Sequence, residues 1–263
     1  MQKPLSSVLA LGYNMKKLII IIIILCFACD SADAPDCLRT NGEIVTLNYE
    51  RAPFTKIRIE DNVNLSLEQG DIQEVRIEAG ANLFDDIEVE IENKTLVVRN
   101  NNTCDLVRDY EDITVFITAP EIDEIRNGSV GDVVGKGTLN FNTLRLISDT
   151  SGGIENVRKS GDFYLNVNCE RFVVRANGFS RFFISGSASE ATLEFADEVP
   201  YFEGPNFLVN DLRVFQRSAN NMKVNPINSI RGEIRGTGDI IAVNRPEIVD
   251  VDEYFTGRLI FED

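Results

Sequence analysis

The stretch SIRGEIRGTGDIIAVN, from Ser229 to Asn244, reads as strand, glycine turn, strand. Ile230 and Ile234 lead into Gly236-Thr237-Gly238, and Ile240, Ala242 and Val243 lead out. Looser versions fill the second half of the chain: LRLISDTSGGIENV from Leu144, FVVRANGFSRFFISG from Phe172 and LRVFQRSANNMKVN from Leu212. Gly128, Gly152 and Gly178 lie 24 and 26 residues apart, and Gly236 and Gly257 lie 21 apart. A period in the low twenties is too short for a propeller blade and suits one coil of a β-solenoid. Each such unit is too thin to bury a core alone, so stacked units must dry one another. Tyr201 to Asn210 interrupts the period and is expected to bulge from the stack.

Working outward toward the N-terminus, the pattern changes. EIVTLNYE, TKIRIED, NVNLSLEQ, QEVRIEAG, IEVEIEN and KTLVVRN, spread over residues 43–100, alternate apolar with polar residues as half-buried strands do. They are expected to form an antiparallel meander that closes one end of the stack. The final strand, EYFTGRLIFED, terminates the other. Short strands at this spacing also allow a β-sandwich of two sheets, the competing architecture.

Composition narrows the function. The 263 residues contain no histidine, which removes the commonest general base and the Ser-His-Asp and Cys-His nucleophile systems. There are 26 basic and 42 acidic residues, a formal charge of −16. A body this acidic repels nucleic acid, and that class is rejected. No cofactor and no metal site is implied.

Lys16 and Lys17 precede an apolar run of 11 residues, Leu18 to Ala28. That is shorter than the roughly 20 residues of a membrane-spanning helix and has the form of a secretion signal. Phe27-Ala28-Cys29-Asp30 at its end resembles a bacterial lipobox, with Cys26 where Leu is usual. By that resemblance Cys29 becomes the lipidated N-terminus, and Asp30, Ser31 and Asp33 begin an acidic tether similar to those of Bacteroidetes lipoproteins. Cleavage there removes Lys3, Lys16 and Lys17 and no acid, taking the charge to −19. The expected organisation is a signal segment over 1–29, a tether over 30–42 and a single β domain over 43–263. Outside the inner membrane thiols oxidise. Cys37 and Cys104 are expected to pair and Cys169 to stay a small buried thiol, the alternative being three free thiols.

PFTKIRIEDNVNLSLEQG (Pro53 to Gly70), VRIEAGANLFDDIEVEIENKTLVVRNNNTC (Val75 to Cys104), DITVFITAP (Asp112 to Pro120) and the closing FTGRLIF (Phe255 to Phe261) together resemble the head GIN domain family of auto-transporter adhesins. The resemblance implies a right-handed parallel β-helix behind a lipoprotein or secretion signal. It supplies no catalytic residues.

Three constellations are candidate sites. Phe179, Phe182, Phe183, Tyr201, Phe202 and Phe207 crowd the irregular region, and exposed rings bind sugars when polar neighbours such as Asn177 and Asn206 fix orientation. Phe179, Phe182, Tyr201, Phe202 and Asn206 are the expected ligand contacts, against the alternative that the rings fill the interior. Asp250, Asp252 and Glu253, with Asp239, would suit glycoside hydrolysis only if desolvated. Arg171, Arg175, Arg181, Arg213 and Arg217 would neutralise an anionic polysaccharide or simply balance charge between coils. The expected protein is a non-catalytic, lipid-anchored outer-membrane module, facing the surface or the periplasm, that contacts glycan or protein. The alternatives are a β-helical polysaccharide lyase or hydrolase and a structural subunit of an envelope assembly.

Overall fold

The computed structural model describes residues 41–101, 113–151 and 157–262. Seventeen strands follow one another: β1 Ile44–Asn48, β2 Lys56–Asp61, β3 Val63–Gln69, β4 Glu74–Gly80, β5 Ile87–Glu92, β6 Thr95–Asn100, β7 Ile113–Ala119, β8 Glu124–Ser129 and β9 Val133–Leu139. Then come β10 Thr143–Ser148, β11 Phe163–Ala176, β12 Arg181–Phe195, β13 Tyr201–Gln216, β14 Met222–Ile234, β15 Ile240–Ala242, β16 Ile248–Glu253 and β17 Leu259–Phe261. A single 3-10 turn, Ala81–Asp86, is the helical content of the described residues. The chain is all-β, and its strands join into one strongly curled mixed sheet. The alternative of two separate facing sheets is not what forms.

From β8 onward every pairing is parallel. The four longest strands, β11 to β14, each bend at a corner. In β11 the alternation of buried and exposed residues breaks at Cys169–Glu170–Arg171 and resumes in the second arm. First arms pair with first arms and second arms with second. Phe163, Phe182, Phe202, Met222, Ile240 and Leu259 therefore occupy one position on successive rungs, 18 to 20 residues apart. In the second arms Phe172, Ala191, Leu212, Ile230 and Val249 do the same. These columns form the core as far as Ile240 and Ile230, while Leu259 is partly buried and Val249 exposed at the last rung. Phe163, Phe172, Phe182, Phe195, Phe202 and Phe207 are all essentially sealed from solvent. The Phe163 and Phe182 rings stack with centroids 4.7 Å apart.

The expected bulge is present inside β13. Glu203 pairs with Lys223, yet Leu208 pairs with Asn225, so β13 carries the extra residues there.

The N-terminal meander needs correcting. β2 pairs in parallel with β6 and β8, and β3 in parallel with β7 and β9. Antiparallel pairing is confined to β1–β4, β4–β7 and β5–β6. The reason lies in the connections. β5 and β6 are joined by Asn93 and Lys94, both at positive φ, which is the geometry that reverses a chain into a hairpin. Between β2 and β3 there is only Asn62, beside Asp61 at φ 64, which turns a corner and cannot reverse the chain. β2 and β3 are thus the two arms of a further rung. The antiparallel strands are added outside it.

One corner of the stack is lined by small and polar residues. Ser148 and Ser180 hydroxyls bond at 2.7 Å in the interior, and Gln216 donates to the Asn220 carbonyl at 2.7 Å. At Gly161 a Cβ would lie 1.9 Å from the Gly131 carbonyl oxygen, so the corners approach too closely for any side chain there. Buried Asp149 anchors the next corner, accepting from Arg126 at 3.1 Å and from the Ser151 amide at 2.9 Å and hydroxyl at 2.5 Å. Burial pushes its carboxyl up, but the Ser151 bonds and Arg126 outweigh burial and hold it below the ordinary value. A depressed carboxyl contributes stability above its unfolded pKa, and that contribution is lost as pH falls through the folded value.

Because Phe182 sits in a column with rings on both sides, it cannot be truncated without leaving a void. Phe182→Ala is expected to lower stability by about 3–5 kcal/mol. Chemical denaturation followed by far-ultraviolet circular dichroism measures it, and a loss under about 1 kcal/mol would contradict the continuous column.

Candidate functional site

Period-two alternation splits every aromatic doublet of the first arms. Phe163 is buried and Tyr164 is 38% exposed; Phe182 is buried and Phe183 half-buried; Phe202 is buried and Tyr201 half-buried. Parallel register then stacks the outward members as strictly as the inward ones. Tyr164 and Phe183 stack face to face, with centroids 4.9 Å apart and planes 5° apart. Tyr201 meets Phe183 edge-on at 6.4 Å.

Polar groups frame these rings and are themselves fixed. Arg181 is in register with Tyr201, and its guanidinium lies 5.7 Å from the Phe183 centroid. It donates from Nε to Asp162 Oδ2 at 2.8 Å and makes a second, shorter bond to that oxygen from Nη2. Its amide donates to Asp162 Oδ1 at 2.9 Å. Asp162 is buried, and its amide donates to Asp132. A charge-assisted fork of this kind holds the arginine in one orientation. The Tyr164 hydroxyl donates to Asp162 at 3.3 Å, and the Tyr201 hydroxyl donates to Glu203. The result is a small aromatic surface on the outside of the sheet, bordered by one anchored cation and one carboxylate.

Two expected contacts are corrected by this geometry. Phe182 and Phe202 belong to the core column, because their strand phase points them inward. Phe179 is exposed at the corner before β12, with its amide donating to the Lys159 carbonyl at 2.7 Å. Asn206 is exposed in the bulge of β13. Tyr164 was missed. The signal for it was present: aligning rungs on Glu203 and Lys223, charged residues that must face out, puts Phe183 and Tyr164 in the same outward column.

The other constellations separate. Asp250, Asp252 and Glu253 are exposed on β16, while Asp239 is half-buried and accepts the Arg258 amide at 2.8 Å. Arg171 lies 3.7 Å from Glu190, Arg175 3.2 Å from Glu194, and Arg217 3.9 Å from Asp197, so these three balance charge between neighbouring rungs. A cavity of about 590 Å³ near β1 and β4 is lined by Tyr49, Phe54, Gln73 and Arg76. Its central amide is spent locally, since Gln73 accepts from the Phe54 amide and donates to the Phe54 carbonyl. Cys169 is a free, half-buried thiol that burial pushes up to about 12. Cys29, Cys37 and Cys104 lie outside the described residues.

A family model described as "Putative auto-transporter adhesin, head GIN domain" matches residues 53–246. No curated protein sequence matches the chain. A crystal structure described as a "putative adhesin" from Bacteroides fragilis superposes with a TM-score of 0.75 at 20% identity, covering 85% of this chain and 99% of that one. Another of the same description, from Parabacteroides distasonis, gives 0.60 at 14% identity over 84% and 99% of the two chains. A "putative lipid binding protein" from Parabacteroides distasonis gives 0.58 at 16% identity over 85% and 98%. At these identities the likeness is one of fold.

The Glu203 hydrogen bond, followed by burial, pushes the Tyr201 phenol from an ordinary 10.0 up to about 12. Ultraviolet phenolate titration, taken as the difference between the native chain and Tyr201→Phe, should show that late step. Glu203→Gln should bring it back toward the ordinary value, and an unmoved midpoint would show that Glu203 does not hold the phenol.

Proposed function

We propose, for a chain that belongs to the head GIN domain family of auto-transporter adhesins, a non-catalytic role at the cell surface or envelope in which the outer aromatic face holds the sugar rings of a glycan. The observation that carries this is the Tyr164–Phe183 stack on the outside of the sheet. Sugar rings present apolar C–H faces that pack against exposed aromatic carbon, such as the outer edges of this stack, while their hydroxyls need fixed donors and acceptors nearby. Arg181, Tyr201 and Glu203 supply those at the border of the pair. Phe179 and Asn206, both exposed, extend the surface toward the corner and the bulge.

The scaffold is taken to be the coils of a right-handed parallel β-helix. The rung-to-rung parallel registers of β8 to β17 support this, and left-handed crossovers in a crystal of the protein would remove it. The domain is taken to hang from the outer membrane by a lipid on Cys29 through the tether of residues 30–42. The short apolar run that ends at that cysteine supports the anchor. In cells fed labelled palmitate, the native chain should take up label and Cys29→Ala should not. Equal labelling of both would exclude the anchor.

Glycan-array screening of the full chain, followed by titration with the best neutral oligosaccharide, tests the binding face. Tyr164→Ala and Phe183→Ala are each expected to weaken binding by roughly tenfold while leaving the unfolding midpoint close to native. Affinity unchanged in both variants would remove the aromatic pair from the role.

A further inference from the structure

The second arms of β13 and β14, together with β16, form a groove of about 530 Å³ on the outer face. In-register pairing sets Arg213 directly beside Arg231 there, with Thr192 before them and Asp250 after. Like charges placed directly opposite on adjacent strands repel. Elsewhere Arg171, Arg175 and Arg217 are neutralised by carboxylates one rung away, and Arg235 by Glu233 two residues before it at 2.5 Å. Arg213 is exposed and has no carboxylate within ion-pair distance among the described residues. Arg231 is held, but by a neutral group. Its Nη1 donates to the buried Ser229 hydroxyl at 2.7 Å, and that hydroxyl donates to Asp211 at 2.5 Å. The exposed Asp250 is Arg231's neighbour in register without being close enough to bridge to it.

The rest of the groove states what an occupant must look like. Phe215 and Tyr254 give it apolar walls, and the Tyr254 ring is held by the Arg235 guanidinium 4.1 Å from its centroid. Asp250 and Asp252 stand at one side, with Glu194 and Glu233 already engaged by arginines. A simple anion would be repelled by these carboxylates. An occupant that fits carries its own carboxylate to the arginine pair, donates hydroxyl protons to Asp250 and Asp252, and lays an apolar face on the rings.

We infer that this groove is a second site, which binds a carboxylate-bearing sugar residue of an acidic polysaccharide with that carboxylate seated between Arg213 and Arg231. The bidentate geometry of guanidinium suits the seat. The site lies on the other arm of the rungs from Tyr164 and Phe183 and stands independently of them.

Isothermal titration of the full chain with galacturonate and mannuronate trimers, and with their neutral methyl esters, tests it. At least one acid trimer should bind, and its ester should bind about tenfold more weakly or worse. Arg213→Gln and Arg231→Gln should each cost the acid trimer a similar factor. Arg213→Lys, which keeps the charge and loses the fork, should fall between. Arg213 is exposed, so its variants keep the native unfolding midpoint and remain informative if Arg231→Gln folds poorly. Phe183→Ala should leave uronate binding unchanged, so failure here and failure of the aromatic face are told apart. Absence of binding by both acid trimers, equal affinity for acid and ester, or native affinity in Arg213→Gln would each overturn the assignment.

Discussion

In-register parallel hydrogen bonding governs this molecule. A parallel ladder sets each residue against its counterpart one rung away, so every position along a strand becomes part of a column. The columns facing inward become phenylalanine and aliphatic stacks, and those facing outward become rows of rings or charges. A single substitution is therefore felt by the residues above and below it in the column. Stability and surface chemistry are set by the same rule.

Electrostatics follow the same geometry. Acidic residues outnumber basic ones across the chain, yet the second-arm arginines mostly lie one rung from a carboxylate. The pairs are exposed and contribute little each to stability. Their effect is on where charge is left over. Arg181 is committed to a buried aspartate and so becomes part of a rigid surface, while Arg213 faces solvent beside a second arginine.

Much of the architecture was legible. Alternating apolar residues marked the strands and glycine and serine marked the corners, but the glycine spacing in the low twenties overstated the 18 to 20 residues that separate in-register positions from Phe163 onward. Two things were not. Alternation says that one of Phe182 and Phe183 faces in, but not which, because the phase is set by the corner at Gly178–Ser180 and by the neighbouring rungs. Partner choice among the early strands was also hidden. TKIRIED and NVNLSLEQ look alike as hairpin arms or as the two arms of one rung, and it is the connection of Asn62 alone between β2 and β3 that decides. The arginine pair required knowing that residues 18 apart sit side by side, which no local pattern discloses.

The bend in each long strand has a further consequence. One arm carries the rings and the other the arginine groove, and each rung adds about 4.8 Å along the axis. On the proposed β-helix, gaining or losing a coil would shift the vertical offset between the two footholds by one whole step of that size. Reach along a polymer would then be graduated as on a ruler, with the chemistry of every foothold untouched.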